Sequence, residues 1–153
     1  MFDIFLTKEV VLEADPGVVA LYGKICIGDY LETLIASLYS WNEAMYQQHW
    51  ESALGRLVEG ETKSALITSY ADPTVAKYIF WWPPVSRRRY GICSKPYAAL
   101  RSAAPSFFYL RSLEINARTS NRDPDGRQIS EWKTDIRNIS LALVKIKERV
   151  AHP

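Results

Sequence analysis

Apolar residues lie on both faces of the segment from residue 18 to residue 27, if it is extended. A strand with two apolar faces is typical of the interior of a sheet. Gly28 and Asp29 follow, and this pair predicts a turn. The next apolar segment, residues 30–37, then predicts the returning strand of a hairpin.

A second hairpin is predicted between residues 64–70 and residues 76–82, with a turn at Asp72 and Pro73. Pro83 and Pro84 stop the second strand, because proline has no amide hydrogen to donate to a sheet. Adjacent residues of a strand point to opposite faces, so Trp81 and the tryptophan after it cannot enter the same core.

Helical periodicity first appears after Ser40. The spacing from Ser40 to Glu43 matches a capping box, which predicts Ser40 as the N-cap of a helix that runs to about Val58. Its apolar stripe recurs at helical intervals. The stripe consists of Tyr46, Trp50, Ala53, Leu54 and Leu57.

The second half of the chain predicts further strands at residues 88–93, 114–119 and 128–134, a helical turn at residues 97–102, and a polar hairpin loop at residues 121–126. A last helix is predicted from about residue 135 to residue 150. Its apolar stripe consists of Ile136, Ile139, Leu143, Ile146 and Val150. Hairpin connections and two helices predict a single α+β domain over residues 1–153, mainly an antiparallel β-sheet with both helices packed on it.

Charge is distributed unevenly along the chain. The net charge is +2, but residues 1–84 carry a balance of −6 and residues 85–153 a balance of +8. The imbalance either averages out in the folded surface or marks two faces with different partners. The N-terminal residues do not resemble a signal peptide, and two isolated cysteines are typical of free thiols in a reducing compartment, so a cytoplasmic protein is expected.

Catalytic and cofactor-binding patterns are absent from the sequence. His49 beside Trp50 is expected to be structural, and no metal-ligand spacing, P-loop or dinucleotide fingerprint occurs. Asp123 and Asp125 are the nearest carboxylate pair, but a turn explains them better than acid-base catalysis. No cofactor, metal, membrane or small-molecule substrate is therefore expected, and no enzymatic activity.

Two tryptophans and three consecutive arginines suggest that the protein binds a macromolecular partner. Trp41 lies off the helical stripe and Trp81 shares its strand face with Lys77, so both are predicted to be exposed anchors for a protein partner. An alternative function is a small nucleic-acid-binding domain that contacts phosphates through Arg87, Arg88 and Arg89. The sequence pI of about 8.5 is lower than expected of a dedicated nucleic-acid binder, so this remains the second choice.

Several motifs occur together in an order that resembles a known family. They are KICIGDY at residues 24–30, the helix with Trp50, KSALITS at residues 63–69, YIFWWP at residues 78–83, and Asp-Gly followed by ISEW at residues 129–132. The combination resembles the immunity proteins of bacterial contact-dependent growth inhibition systems. Residues 84–113 match poorly.

The resemblance implies a non-catalytic protein that binds the C-terminal toxin domain of a secreted effector and blocks its active site or its access to substrate. Many such toxins are nucleases, whose phosphate-binding surfaces are basic. Acidic residues of the first half are therefore expected to face the toxin and to speed association. These candidates are Asp29, Glu32, Glu43, Glu51, Glu59, Glu61 and Asp72.

Overall fold

A computed structural model describes residues 1–12, 18–70, 78–82, 84–87, 90–94, 97–100 and 131–152. Two helices and nine strands occur within these residues. The strands are β1 (Phe2–Leu12), β2 (Val19–Ile27), β3 (Tyr30–Ser37), β4 (Leu66–Ser69), β5 (Tyr78–Trp82), β6 (Pro84–Arg87), β7 (Tyr90–Ser94), β8 (Tyr97–Leu100) and β9 (Glu131–Asp135). The helices are α1 (Glu43–Val58) and α2 (Ile136–Ala151).

All strand pairs are antiparallel, and the strands form three three-stranded sheets in the orders β1-β2-β3, β4-β5-β8 and β6-β7-β9. The predicted α+β class is confirmed. The strand β2 is central in the first sheet, as its two apolar faces predicted, and β3 returns beside it. Gly28 turns the chain with φ at +64°, a conformation that favours glycine.

The hydrophobic core lies between the two helices and the inward face of the first sheet. Ile25, Ile27 and Leu34 of the sheet pack there with α1 and α2. All five predicted stripe residues of α1 are buried. In α2, Ile139 and Ile146 are buried with Ala142, while the other predicted positions pack at the margin of the core.

The free edge of β4 is sealed by side chains of α1. The Trp50 indole N–H donates to the Ile67 carbonyl at 2.7 Å, and the Tyr70 amide donates to the Tyr46 hydroxyl at 2.8 Å. The His49 Nε2 atom lies 3.0 Å from the Ala65 carbonyl oxygen and 3.2 Å from the Ile67 amide nitrogen. An open edge strand would otherwise present unpaired backbone groups, so the helix takes the place of another strand.

Two predicted local features are wrong. Asn42, not Ser40, caps α1, because its side-chain oxygen accepts from the Met45 amide at 2.9 Å and the helix starts at Glu43. Residues 97–100 form strand β8 instead of a helical turn, because pairing with β5 satisfies their backbone groups and overrides their local preference. The predicted strand at residues 114–119 and the loop at residues 121–126 lie outside the described residues.

The predicted end of the strand at Trp82 is confirmed. β5 ends at Trp82, and β6 begins at Pro84 in a different sheet, which is the strand position that proline tolerates. None of the helices that the structure describes is both long and apolar enough to cross a membrane.

Candidate protein-binding surface

Three of the acidic candidates already have partners within the protein. Glu43 pairs with Lys8 at 3.5 Å. Glu61 pairs with Arg56 at 3.6 Å, and Glu32 accepts a hydrogen bond from the Tyr30 hydroxyl. Glu43 and Glu61 are therefore partly neutralised before any partner arrives, and Glu32 keeps its charge but is held by the tyrosine.

The remaining described acids do not form one cluster. Asp29 is exposed in the turn between β2 and β3, Glu51 is half-buried on α1, and Glu59 is exposed at the end of α1. No residue that the structure describes forms an ion pair with these three. Glu43 and Glu59 lie at opposite ends of the helix, about 24 Å apart at 1.5 Å per residue. Asp72 lies outside the described residues.

Trp41 is buried, at 4% exposure, so its predicted exposure is wrong. Its ring stacks on Tyr70 with centroids 4.6 Å apart and meets the edge of Tyr46 at 5.1 Å. The residue precedes the helix, so a helical stripe does not determine where it points. Trp82, the neighbour of Trp81, is also buried. The side chains of Trp81 and Arg87, and residues 88 and 89, lie outside what the structure describes.

An aromatic cluster joins the three sheets. The Tyr30 ring of β3 stacks on Trp132 of β9 with centroids 3.9 Å apart, and Trp82 of β5 lies 5.5 Å from Trp132. Burial, and then the hydrogen bond to Glu32, raises the pKa of Tyr30 to about 12. The hydroxyl therefore stays protonated and keeps donating to Glu32. The ring contacts bring side chains of the three sheets together.

The outward face of the first sheet carries exposed apolar residues, which the sequence reasoning missed. Leu31 pairs across the strands with Cys26, and Ile35 pairs with Tyr22, all on the face opposite the core residues of this sheet. Lys145 and Arg149 of α2 reach the β1 side of this face, where both pair with Asp3. Leu31 is 56% exposed and Ile35 is 45% exposed. Their spacing of four residues within one strand places them on one face, and this was the signal available in the sequence.

The titratable groups with shifted pKa values are arranged for structure. Burial lowers the pKa of His49 to about 4, so the ring is neutral at physiological pH. Burial, and then the Asp3 carboxylate, raises the pKa of the Cys26 thiol, which keeps it protonated and a poor nucleophile. Within the described residues, no group of three or more histidine, cysteine or acidic side chains has the geometry to hold a metal ion.

Comparisons with known proteins identify the family. The sequence matches the family model of the CdiI N-terminal domain over residues 36–141. The immunity protein CdiI of Enterobacter cloacae is 30% identical over 139 residues, which cover 91% of this chain and 94% of that protein. A chain of the CdiA-CT/CdiI toxin and immunity complex from Enterobacter cloacae superposes with a TM-score of 0.80 at 26% identity, covering 97% of this chain and 99% of that chain. The resemblance seen in the sequence is confirmed: the chain belongs to the CdiI immunity protein family.

Proposed function

We propose that this protein binds the C-terminal toxin domain of a contact-dependent growth inhibition effector and neutralises it. The observation that carries the proposal is the structural match, along almost the whole chain, to a chain of a toxin and immunity complex. Neutralisation by binding needs a rigid surface complementary to the toxin, and no reacting groups.

Inhibition is proposed to work by covering the toxin's active site or its path to substrate. The side chains described above support binding without catalysis, because the buried histidine is neutral and its Nε2 atom is held against backbone groups of β4. We place this binding in the cytoplasm, where the free thiol of Cys26 stays reduced.

We further propose that the toxin is a nuclease with a basic surface and that acidic residues of this protein speed the encounter. Asp29, Glu51 and Glu59 are the candidates, because the described residues contain no ion-pair partner for them. Steering of this kind is screened by salt, with a Debye length of about 10 Å at 0.1 M. Association should therefore slow markedly between 50 and 500 mM salt. An association rate that does not change with salt would reject steering while leaving toxin binding intact.

The direct experiment is co-purification. The full chain, carrying an affinity tag, is expressed with the C-terminal toxin domain of a contact-dependent growth inhibition effector from the same genome. An unrelated toxin domain of similar size serves as the control. We expect a stoichiometric complex with the first domain and none with the second. If neither domain is retained, toxin binding by this protein is rejected.

A further inference from the structure

The outward face of the first sheet has an unusual composition for a surface. Antiparallel sheets with helices on one side alternate apolar residues toward the helices and polar residues toward water. Here Tyr22, Leu31 and Ile35 occupy outward positions, and none of them is fully buried. Phe5 is also outward, but the guanidinium of Arg149 of α2 lies over its ring, 5.6 Å from the ring centroid. Contiguous apolar surface on a folded protein usually marks a site of interaction.

The registers of the sheet bring these residues side by side. One row across the strands holds Asp3, Cys26 and Leu31, the next holds Phe5, Lys24 and Thr33, and the row after that joins Tyr22 to Ile35. Neighbouring strands are about 4.8 Å apart and residues two apart on a strand are about 7 Å apart. The three rows therefore span about 10 Å by 14 Å, an area suited to the centre of an interface.

Lys24 lies in the middle row of this face. It is half-buried between Phe5 and Thr33, and no acidic side chain among the described residues lies within ion-pair distance of it. The nearby cations of α2 are already engaged, because Lys145 and Arg149 both pair with Asp3 at the edge of the sheet. Asp3, the acid of this face, is therefore already paired, and Lys24 remains beside the exposed apolar residues Leu31 and Ile35. The complementary surface is an apolar patch that carries a carboxylate.

We propose that the toxin domain docks on this outward face, with apolar side chains over Leu31 and Ile35 and a carboxylate opposite Lys24. This inference rests on the proposed function and adds the surface and the chemistry of its partner. The acids on α1 lie on the opposite side of the sheet, since α1 packs against its inward face. Asp29, in the turn at the end of this sheet, is then the acid closest to the docked toxin.

The test uses the full chain and the toxin domain of the effector from the same genome, with Kd measured by biolayer interferometry. One variant combines Leu31→Thr with Ile35→Thr, because threonine keeps strand propensity while removing apolar surface. Its matched control combines Leu141→Gln with Val144→Gln on α2, where the native side chains are 61% and 53% exposed. We expect the sheet variant to raise Kd at least about tenfold and the helix control to change it by less than about twofold.

A charge pair of variants tests the same surface independently. Lys24→Glu places a second acid opposite the proposed carboxylate and should raise Kd at least about tenfold, whereas Lys147→Glu on α2 should not. Circular dichroism and Tm show whether each variant is folded. If the threonine variant is unfolded, the lysine variants decide the question.

Three results would overturn the inference. If the wild type binds and the folded sheet variants bind equally tightly, the docking surface is elsewhere and the proposed function stands. The same conclusion follows if the helix controls weaken binding as much as the sheet variants. If the wild type does not bind the toxin domain at all, the proposed function fails and the docking surface with it.

Discussion

The Tyr46 hydroxyl connects three parts of the fold with a single oxygen atom. Tyr46 is fully buried on α1, its hydroxyl donates to the Ser37 carbonyl at 2.8 Å, and it accepts from the Tyr70 amide at 2.8 Å. Tyr46→Phe removes this oxygen and leaves the ring in place. Both backbone groups then lose a hydrogen bond without any change in apolar packing.

The cost follows from where the two backbone groups lie. Ser37 is buried at the end of β3, so its carbonyl cannot easily find water, and such a loss costs about 1–3 kcal/mol. The amide of Tyr70 is only half-buried, so its loss adds about 1 kcal/mol. We therefore expect Tyr46→Phe to lower the free energy of unfolding by about 2–4 kcal/mol.

Urea denaturation followed by tryptophan fluorescence measures this loss. For a protein of this size the urea m-value is about 1–3 kcal/mol/M. A loss of about 3 kcal/mol at an m-value of about 2 kcal/mol/M lowers the midpoint by about 1.5 M, with an unchanged m-value. Tyr39→Phe is the control, because the Tyr39 ring is 57% exposed and the change should cost less than about 0.5 kcal/mol. Equal midpoints for the two variants would refute the account of the β4 edge.

Three further predictions concern stability. His49 has its pKa lowered to about 4 by burial, so the unfolded state binds the proton first and stability falls as pH drops from about 6.5 toward 4. Between pH 7.5 and 4.5, the free energy of unfolding of His49→Gln should therefore fall by about 2 kcal/mol less than that of the wild type, as measured by urea titration. Asp3 accepts a hydrogen bond from Arg149 at 2.7 Å, which links β1 to the last turns of α2. A double-mutant cycle with alanine at both positions should give a coupling energy of about 1–2 kcal/mol, and a coupling near zero would contradict this link. Gly55→Ala should raise stability by about 0.5–1 kcal/mol because its site on α1 is open, whereas Gly23→Ala should lower Tm because the new Cβ would lie 2.8 Å from the Phe5 carbonyl oxygen.

Local periodicity predicted the helices and the first hairpin well. The α1 stripe matched its buried residues because a helix presents every third or fourth residue to the core whatever lies opposite. The Gly28 turn was predictable for a similar reason, since few residues besides glycine adopt a positive φ.

Features that depend on distant parts of the chain were not predictable in this way. Trp41 is buried because Tyr70 stacks on it, and nothing within a few residues of Trp41 encodes that contact. Residues 97–100 form a strand because β5 is there to pair with them. Ser40 and Asn42 are both good N-caps, and the choice between them depends on where α1 meets the core.

The candidate site was the least predictable part. Sequence reasoning selected acids by charge alone, but Glu43 and Glu61 pair with Lys8 and Arg56 in the folded protein. The exposure of an apolar face depends on which other elements pack against it. The alternation of residues along a strand does not predict those elements. The apolar residues on both faces of β2 were noticed, yet only the registers showed that one face turns away from the helices.

Rescue of growth tests the central claim most directly. The toxin domain of the effector from the same genome is induced in cells that carry the wild-type chain, an empty vector, or a CdiI protein from another organism. The account predicts growth only with the wild-type chain. Cells that stop growing with the wild-type chain as they do with the empty vector, while the folded protein accumulates, would contradict it.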